Sequence, residues 1–210
     1  MTKIYSLNSD VKFPDMEHYD MGKASDMALY LAHCDFYPFR SVIENNKIAL
    51  DAIDERYRNL AEEARLKNDF FTEQWAMTSG TLHLTMVSLL EEAVNTLCRL
   101  YHNINHLDKE VKDIKGSGLE RAAKYLKDVV GIDGFTADKQ WEYITVIRDA
   151  RNMVVHNGGR IYKEFDKYDK FKIGYREEDH QLYLEYNDIV KMYDAILDFM
   201  DRTFRIIPQG

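Results

Sequence analysis

The residue types best suited to chemistry are concentrated in one short stretch, Arg151 to Gly159, with the sequence RNMVVHNGG. An arginine carries a permanent charge on a planar group that fits phosphate oxygens. Histidine is the side chain whose ordinary pKa lets it accept and donate protons near neutral pH. Arg151, Asn152 and His156 all fall within six consecutive positions. This combination indicates a site that acts on a phosphodiester.

The stretch lies at the end of a helix that we predict over 137–156, with Thr136 as its N-cap. At about 100° per residue, Arg148, Asn152 and His156 project from the same side of this helix. Arg151 and His156 are separated by about 140° around the axis and by about 7.5 Å along it. The two side chains therefore meet only if the helix end loosens, or if a second subunit supplies the missing group.

One arc of the same helix is predicted to face the core and consists of Tyr143, Val146, Ile147, Ala150, Met153 and Val154. The opposite arc is polar but also carries Trp141, Ile144 and Val155. A solvated face rarely mixes large apolar residues with polar ones in this way. Because a twofold dimer brings the same patch against itself, we expect a homodimer that forms through this face.

The segment R-N-M-V-V-H, on a late helix of an all-α chain, resembles the signature of the HEPN superfamily. That signature is an arginine, four to six further residues and a histidine, with Asn, Asp or His often directly after the arginine. The resemblance implies a metal-independent endoribonuclease that acts as a dimer, in a toxin or antiphage-defence role. One subgroup has a tyrosine two residues after the histidine, which a nucleotidyltransferase modifies. Gly158 occupies that position here, so we do not expect that partner.

The resemblance and the residue types together assign roles. His156 is the expected general acid and base, and Arg151 stabilises charge on the phosphoryl oxygens. Asn152 orients the phosphate or the histidine, while Arg148 and Arg160 are expected substrate contacts. The predicted product is a 2′,3′-cyclic phosphate, and DNA, which lacks the 2′-hydroxyl, is not expected to be cleaved. RNA, a second copy and an antitoxin or regulatory protein are the expected partners, with no metal and no cofactor.

The charge pattern favours a small phosphate site over a long nucleic-acid groove. The formal net charge of −8 argues against broad binding to nucleic acid, which depends on many Lys and Arg contacts. Around the motif, the local net charge is positive. Between positions 148 and 163, Arg148, Arg151, Arg160 and Lys163 stand against one acid, Asp149.

The composition indicates one globular domain at 21–210, preceded by an irregular arm at 1–20. With 45% hydrophobic and 30% charged residues, the chain has enough apolar material for a core. Cys34 and Cys98 are far apart, which favours buried thiols in a reducing compartment. No secretory signal is evident, and no run of about 18 apolar residues could span a membrane. A cytoplasmic location is expected.

The spacing of apolar residues predicts an all-α bundle of about five helices with a small β-hairpin inserted before the last. Pro38 is predicted to break or kink the first helical region, because proline lacks an amide donor and clashes with the preceding turn. The predicted elements are helices over 22–36, 39–66, 70–104, 119–130 and 137–156, a hairpin within 161–186, and a last helix that Asn187 or Asp188 caps and that runs to Phe204.

Several alternatives stay open. His102 and His106 could form a metal pair, although a solvated helix end is favoured. Glu91 or Glu92 could reach the active-site cleft, or could be buried in an ion pair. At the level of function, the alternative to an enzyme is a catalytically inactive HEPN-like module that binds a nucleotide or a protein. A further alternative is a helical protein in which the motif is coincidental.

Overall fold

The computed structural model describes residues 13–58, 70–176 and 180–206. These residues form an all-α fold with a small hairpin before the last helix, as predicted. The strands β1 (Tyr175–Arg176) and β2 (Gln181–Leu182) pair in antiparallel register. The helices are α1 (Ala24–Arg58), α2 (Phe70–Asn105), α3 (Gly118–Tyr125), α4 (Trp141–Asn157), α5 (Phe165–Phe171) and α6 (Tyr186–Thr203). None of these helices combines the length and the apolar composition that a bilayer-spanning segment needs.

The core holds the motif helix α4 against α2, α5 and α6, while α1 packs along α2 and also contacts α6. The buried apolar side chains form one cluster that extends from Ala24 to Phe204. Cys98 is buried, Cys34 is half-buried, and both thiols are free. Of the arm predicted at 1–20, residues 1–12 lie outside the described ranges, and 13–20 include one 3₁₀ turn, Met16–His18.

The predicted break at Pro38 is wrong, because α1 continues through it as one helix. Proline inside a helix costs about 3 kcal/mol, through the lost amide donor and a clash one turn back. On either side of it, Phe36, Phe39 and Ile43 are buried in the core. Each such side chain contributes about 1.5–3 kcal/mol, so together they outweigh the proline. The predicted extension of this helix over 59–66 lies outside the described residues.

The start of α4 is set by a contact from α6. The helix begins at Trp141, four residues later than predicted, and Thr136 is not its cap. Asp138 instead accepts a hydrogen bond of 2.8 Å from the amide of Gln140. Arg202 on α6 donates two hydrogen bonds of 2.8 Å to the Asp138 carboxylate. These bonds lower the pKa of Asp138, so an ion pair between distant segments fixes where the motif helix starts.

Two other helix ends follow the predicted signals closely. Helix α3 continues into a wider π-helical turn over 126–130, which ends at Gly131 in the left-handed conformation with φ of 83°. The helix predicted over 119–130 therefore ends where expected, with Gly131 as its C-terminal cap. At the start of α6, Asp188 accepts a hydrogen bond of 3.0 Å from the amide of Glu185. The helix starts at Tyr186, slightly before the predicted caps.

Two consecutive glycines at the end of α4 form hydrogen bonds with strand β2 of the hairpin. Gly158 and Gly159 have φ of 60° and 84°, a region that other residues adopt only with strain. The amide of Gly159 donates to the carbonyl of Met153 (2.9 Å), and the amide of Leu182 donates to the carbonyl of Gly159 (2.8 Å). The Gln181 side chain also donates to the carbonyl of Gly158 at 2.7 Å. The hairpin is thus attached directly to the end of the motif helix.

The two glycines offer a matched pair of substitutions. Gly158→Ala adds a methyl group into open space. In Gly159→Ala, the methyl group would overlap the side-chain amide nitrogen of Gln181. Left-handed strain should destabilise the first variant by about 1 kcal/mol. The second should lose about 2–3 kcal/mol, because the Gln181 hydrogen bond is disrupted as well. Urea unfolding measures both values, and equal losses would contradict the close contact at Gly159.

Candidate active site

Four of the five predicted site residues line one polar cleft of about 370 Å³. The cleft lies where α4 meets the start of α3 and the middle of α2. Its lining consists of Glu91, Ser117, Gly118, Glu120, Arg148, Arg151, Asn152 and His156. The fold therefore gathers side chains from three helices around the motif.

Arg151 is the cleft cation without a carboxylate partner among the described residues. Its Nη1 donates a hydrogen bond of 3.0 Å to Oδ1 of Asn152. Its Nε is buried and has no hydrogen-bond partner there. Asn152 thus holds the guanidinium of its neighbour, and Nη2 of Arg151, which has no hydrogen-bond partner among the described residues, is available to an anion.

Arg148 lies in the same cleft but is already neutralised. Its Nη1 donates to Glu120 at 2.8 Å, and its Nε and Nη2 donate to Asp149 at 3.1 and 2.7 Å. Burial acts to lower the pKa of Arg148, but these hydrogen bonds raise it overall. Asp149 also pairs with Lys167 of α5. Glu120 therefore offsets one of the positive charges counted along the sequence.

His156 lies exposed near the end of α4 and lines the cleft with Arg151. No hydrogen bond joins the two side chains within the described part of the chain. The helix stays regular through Asn157, and the amide of Gly158 bonds to the carbonyl of Met153. The helix end does not loosen, so Arg151 and His156 share the cleft without a hydrogen bond between them.

Arg160, the fifth predicted residue, is not part of the cleft lining. It is exposed beyond the end of α4, and its backbone forms an isolated bridge with Gln181. Its place on the far side of the two glycines separates it from Arg151.

Of the two glutamates on α2 that the sequence left undecided, Glu91 reaches the cleft. Its carboxylate lies so close to the start of α3 that a Cβ on Gly118 would be 2.7 Å from Oε1. Gly118 has φ of 49°, which also favours glycine. Glu92 points elsewhere and pairs with Arg99 at 2.6 Å. The cleft thus carries two carboxylates, Glu91 and Glu120, that the motif itself does not contain.

The apolar face predicted for dimerisation is smaller than expected. Ile144 is fully buried in the core, so its assignment to the outer arc is wrong. The ring of Trp141 packs against Phe135 and Phe199 at centroid distances of 5.7 and 6.0 Å. Of the three apolar residues, Val155 is the one that remains exposed, at 49%.

His83 of α2 is a residue next to the site that the sequence analysis did not single out. Its side chain is fully buried, and its Nε2 lies 2.9 Å from the carbonyl oxygen of Ile147 on α4. Burial lowers its pKa to about 4, and the charge of Arg151 acts in the same direction. The available signal was a lone histidine in the apolar run from 77 to 100.

His102 and His106 lie at the other end of α2. His102 Nδ1 is 3.2 Å from the carbonyl oxygen of Lys109, and His106 is exposed beyond the helix. Within the described ranges, no group of three or more His, Cys, Asp or Glu side chains is arranged to hold a metal ion.

Comparisons of this chain with protein-family models, with curated proteins and with solved structures found no match. Its function must be inferred from the cleft.

Proposed function

We propose that the protein is a metal-independent endoribonuclease of the HEPN type. The observation that carries this proposal is the cleft itself, in which His156 and Asn152 lie with an arginine that has no carboxylate partner among the described residues. A toxin or antiphage-defence role, restrained by a partner protein, is consistent with an enzyme of this kind.

The residue types suit transesterification by the ribose 2′-hydroxyl. His156 removes the 2′ proton as the 2′ oxygen forms its bond to phosphorus. Arg151 stabilises the charge that builds on the phosphoryl oxygens, held in place by Asn152. The bond to the 5′ oxygen then breaks, and this oxygen takes up a proton. The products are a 2′,3′-cyclic phosphate and a 5′-hydroxyl, and water is not consumed.

A homodimer is part of this proposal. His156 of one copy accepts the 2′ proton, and a separate acid, in this proposal His156 of the second copy, protonates the leaving oxygen in the same step. His156 and the exposed Val155 lie together at the end of α4. A twofold axis beside this end would place two copies of the cleft across from each other. Sedimentation velocity tests this, and Val155→Asp should shift a dimer toward monomer.

The decisive experiment is incubation of the purified protein with a mixed RNA pool in excess EDTA. We expect cleavage that leaves cyclic phosphates, identified by mass spectrometry. The matched substrate has a single 2′-deoxy sugar at the mapped cleavage position and should stay intact. No cleavage of any RNA, or equal cleavage of the deoxy substrate, would overturn the proposal. An inert protein that a nucleotide or RNA stabilises thermally would instead favour the binding module.

Glu120 should weaken RNA binding, because its carboxylate occupies Arg148 and repels phosphate. We expect Glu120→Gln to bind a non-cleavable 2′-O-methyl RNA about three- to tenfold more tightly. One additional phosphate contact should steepen the salt dependence of log K by about 0.7. Fluorescence anisotropy at several salt concentrations measures both. Glu92→Gln is the control, since it removes the same charge from the same protein outside the cleft.

Glu120→Gln and Glu92→Gln would tighten binding equally if only the net charge mattered. In that case Glu120 does not regulate access to Arg148.

A further inference from the structure

His83 lies directly behind the motif helix, one turn before Arg151. Its Nε2 is 2.9 Å from the carbonyl oxygen of Ile147, the same carbonyl that faces the amide of Arg151 in the helix. A carbonyl only accepts hydrogen bonds, so Nε2 must carry the hydrogen. The other ring nitrogen, Nδ1, is then an acceptor.

Two buried atoms at this point have no hydrogen-bond partner among the described residues, and they are complementary. One is Nδ1 of His83, an acceptor, and the other is Nε of Arg151, a donor. The His83 ring contacts the carbonyl of Ile147, and Arg151 follows Ile147 by one helical turn on the same side of α4. Leaving both atoms unpaired in the interior is costly, so a movement that joins them is favoured.

We infer that His83 is a positioning residue for Arg151: its Nδ1 accepts the Nε hydrogen of Arg151 when the guanidinium engages a phosphate. Asn152 holds Nη1 from one side, and His83 then fixes the inner edge of the same group. The imidazole is neutral at pH 7, so its lone pair stays available for this bond. The inference rests on the proposed role of Arg151 in RNA cleavage.

A purely structural role for His83 would use one nitrogen only. The bond to the Ile147 carbonyl ties α2 to α4, and a glutamine amide could replace it. An apolar core residue would fill the space without leaving an unpaired acceptor. The second nitrogen and the Nε of Arg151 are both buried without a hydrogen-bond partner among the described residues, which a structural role does not account for.

NMR tests the hydrogen bond independently of cleavage. The Arg151 Nε–H signal is assigned in ¹⁵N-labelled protein by its absence in Arg151→Lys, with inorganic phosphate present. We expect slow solvent exchange of this hydrogen in wild type and in His83→Gln, whose amide retains a donor and an acceptor. Exchange should become at least tenfold faster in His83→Leu. An unchanged exchange rate in His83→Leu would overturn the inference, whether or not the protein cleaves RNA.

Kinetics provides the second readout. His83→Leu should lower kcat about 10- to 100-fold with KM nearly unchanged, because a misplaced arginine mainly affects the transition state. His83→Gln should recover most of that loss. In an Arg151→Lys background, which lacks Nε, His83→Leu should change the remaining rate by less than about twofold. An equal loss in both backgrounds contradicts positioning. His83→Met replaces the leucine variant if thermal melting shows that the latter does not fold.

Discussion

Arg151→Ala and His156→Ala should each reduce the rate of RNA cleavage by about 10²- to 10⁴-fold. His156 is the only imidazole in the cleft lining of the described structure, so its removal eliminates the proton acceptor for the 2′-hydroxyl. Within the described ranges no carboxylate pairs with Arg151, so its removal leaves the charge on the phosphoryl oxygens without compensation. Single-turnover cleavage of a labelled RNA measures both effects directly.

Arg160→Ala is the matched control for charge. It also removes one guanidinium close to the motif, but from an exposed position outside the cleft. We expect its rate to stay within a few-fold of wild type. His156→Ala should also melt at the wild-type temperature, because the side chain is exposed. A His156→Ala protein that cleaves normally, or an Arg160→Ala protein as impaired as Arg151→Ala, would show that the chemistry lies elsewhere.

Arg148→Ala should affect the packing of the fold as well as the cleft, unlike Arg151→Ala or His156→Ala. Its three donors tie α4 to Glu120 of α3 and to Asp149, within a side chain only 13% exposed. Loss of Arg148 removes the partner of Glu120 and leaves Asp149 paired with Lys167. The sequence could not distinguish Arg148 from Arg151, because the residue that separates their roles, Glu120, is 28 positions away from Arg148.

The sequence predicted best those features that depend on local spacing. Apolar residues at helical intervals located α2 to within a residue, and glycine located the end of the π-helical turn at Gly131. The features that it missed depend on tertiary contacts. Core packing carries α1 through Pro38, and Arg202 sets the start of α4 through Asp138. Neither contact has a local signature, so neither boundary could be predicted correctly.

The candidate site also combines residues that local spacing predicts with residues that only tertiary contacts bring there. The motif residues occupy one helix and could be identified from their types and order. Glu91, Glu120 and His83 reach the cleft or its underside from α2 and α3, and no spacing rule relates them to position 151. Ile144 was assigned to the outer face because an ideal helical wheel ignores the neighbours; α4 contacts α2, α5 and α6, which widens its buried face.

The aromatic cluster that anchors α4 should be the most sensitive part of the fold. Phe199 of α6 is fully buried, and its ring meets Phe135 edge to face at a centroid distance of 5.2 Å. It also packs at 6.0 Å on Trp141, the first residue of α4. Phe199→Ala should destabilise the protein by about 3–5 kcal/mol, through lost burial and the cavity left behind. Urea unfolding gives the value.

Phe171→Ala is the matched control, because Phe171 is only half-buried and stacks on Tyr143 at the surface end of α5. The free energy of unfolding should fall much less in Phe171→Ala than in Phe199→Ala. Equal decreases would contradict an anchoring role for the cluster. Since a loss of 3–5 kcal/mol is a large part of the about 5–15 kcal/mol that stabilises most domains, Phe199→Ala should also lower activity near 37 °C. That activity should return on cooling, as the folded fraction recovers. The loss of activity in His156→Ala should persist at every temperature, because this substitution removes the catalytic side chain and leaves the fold intact.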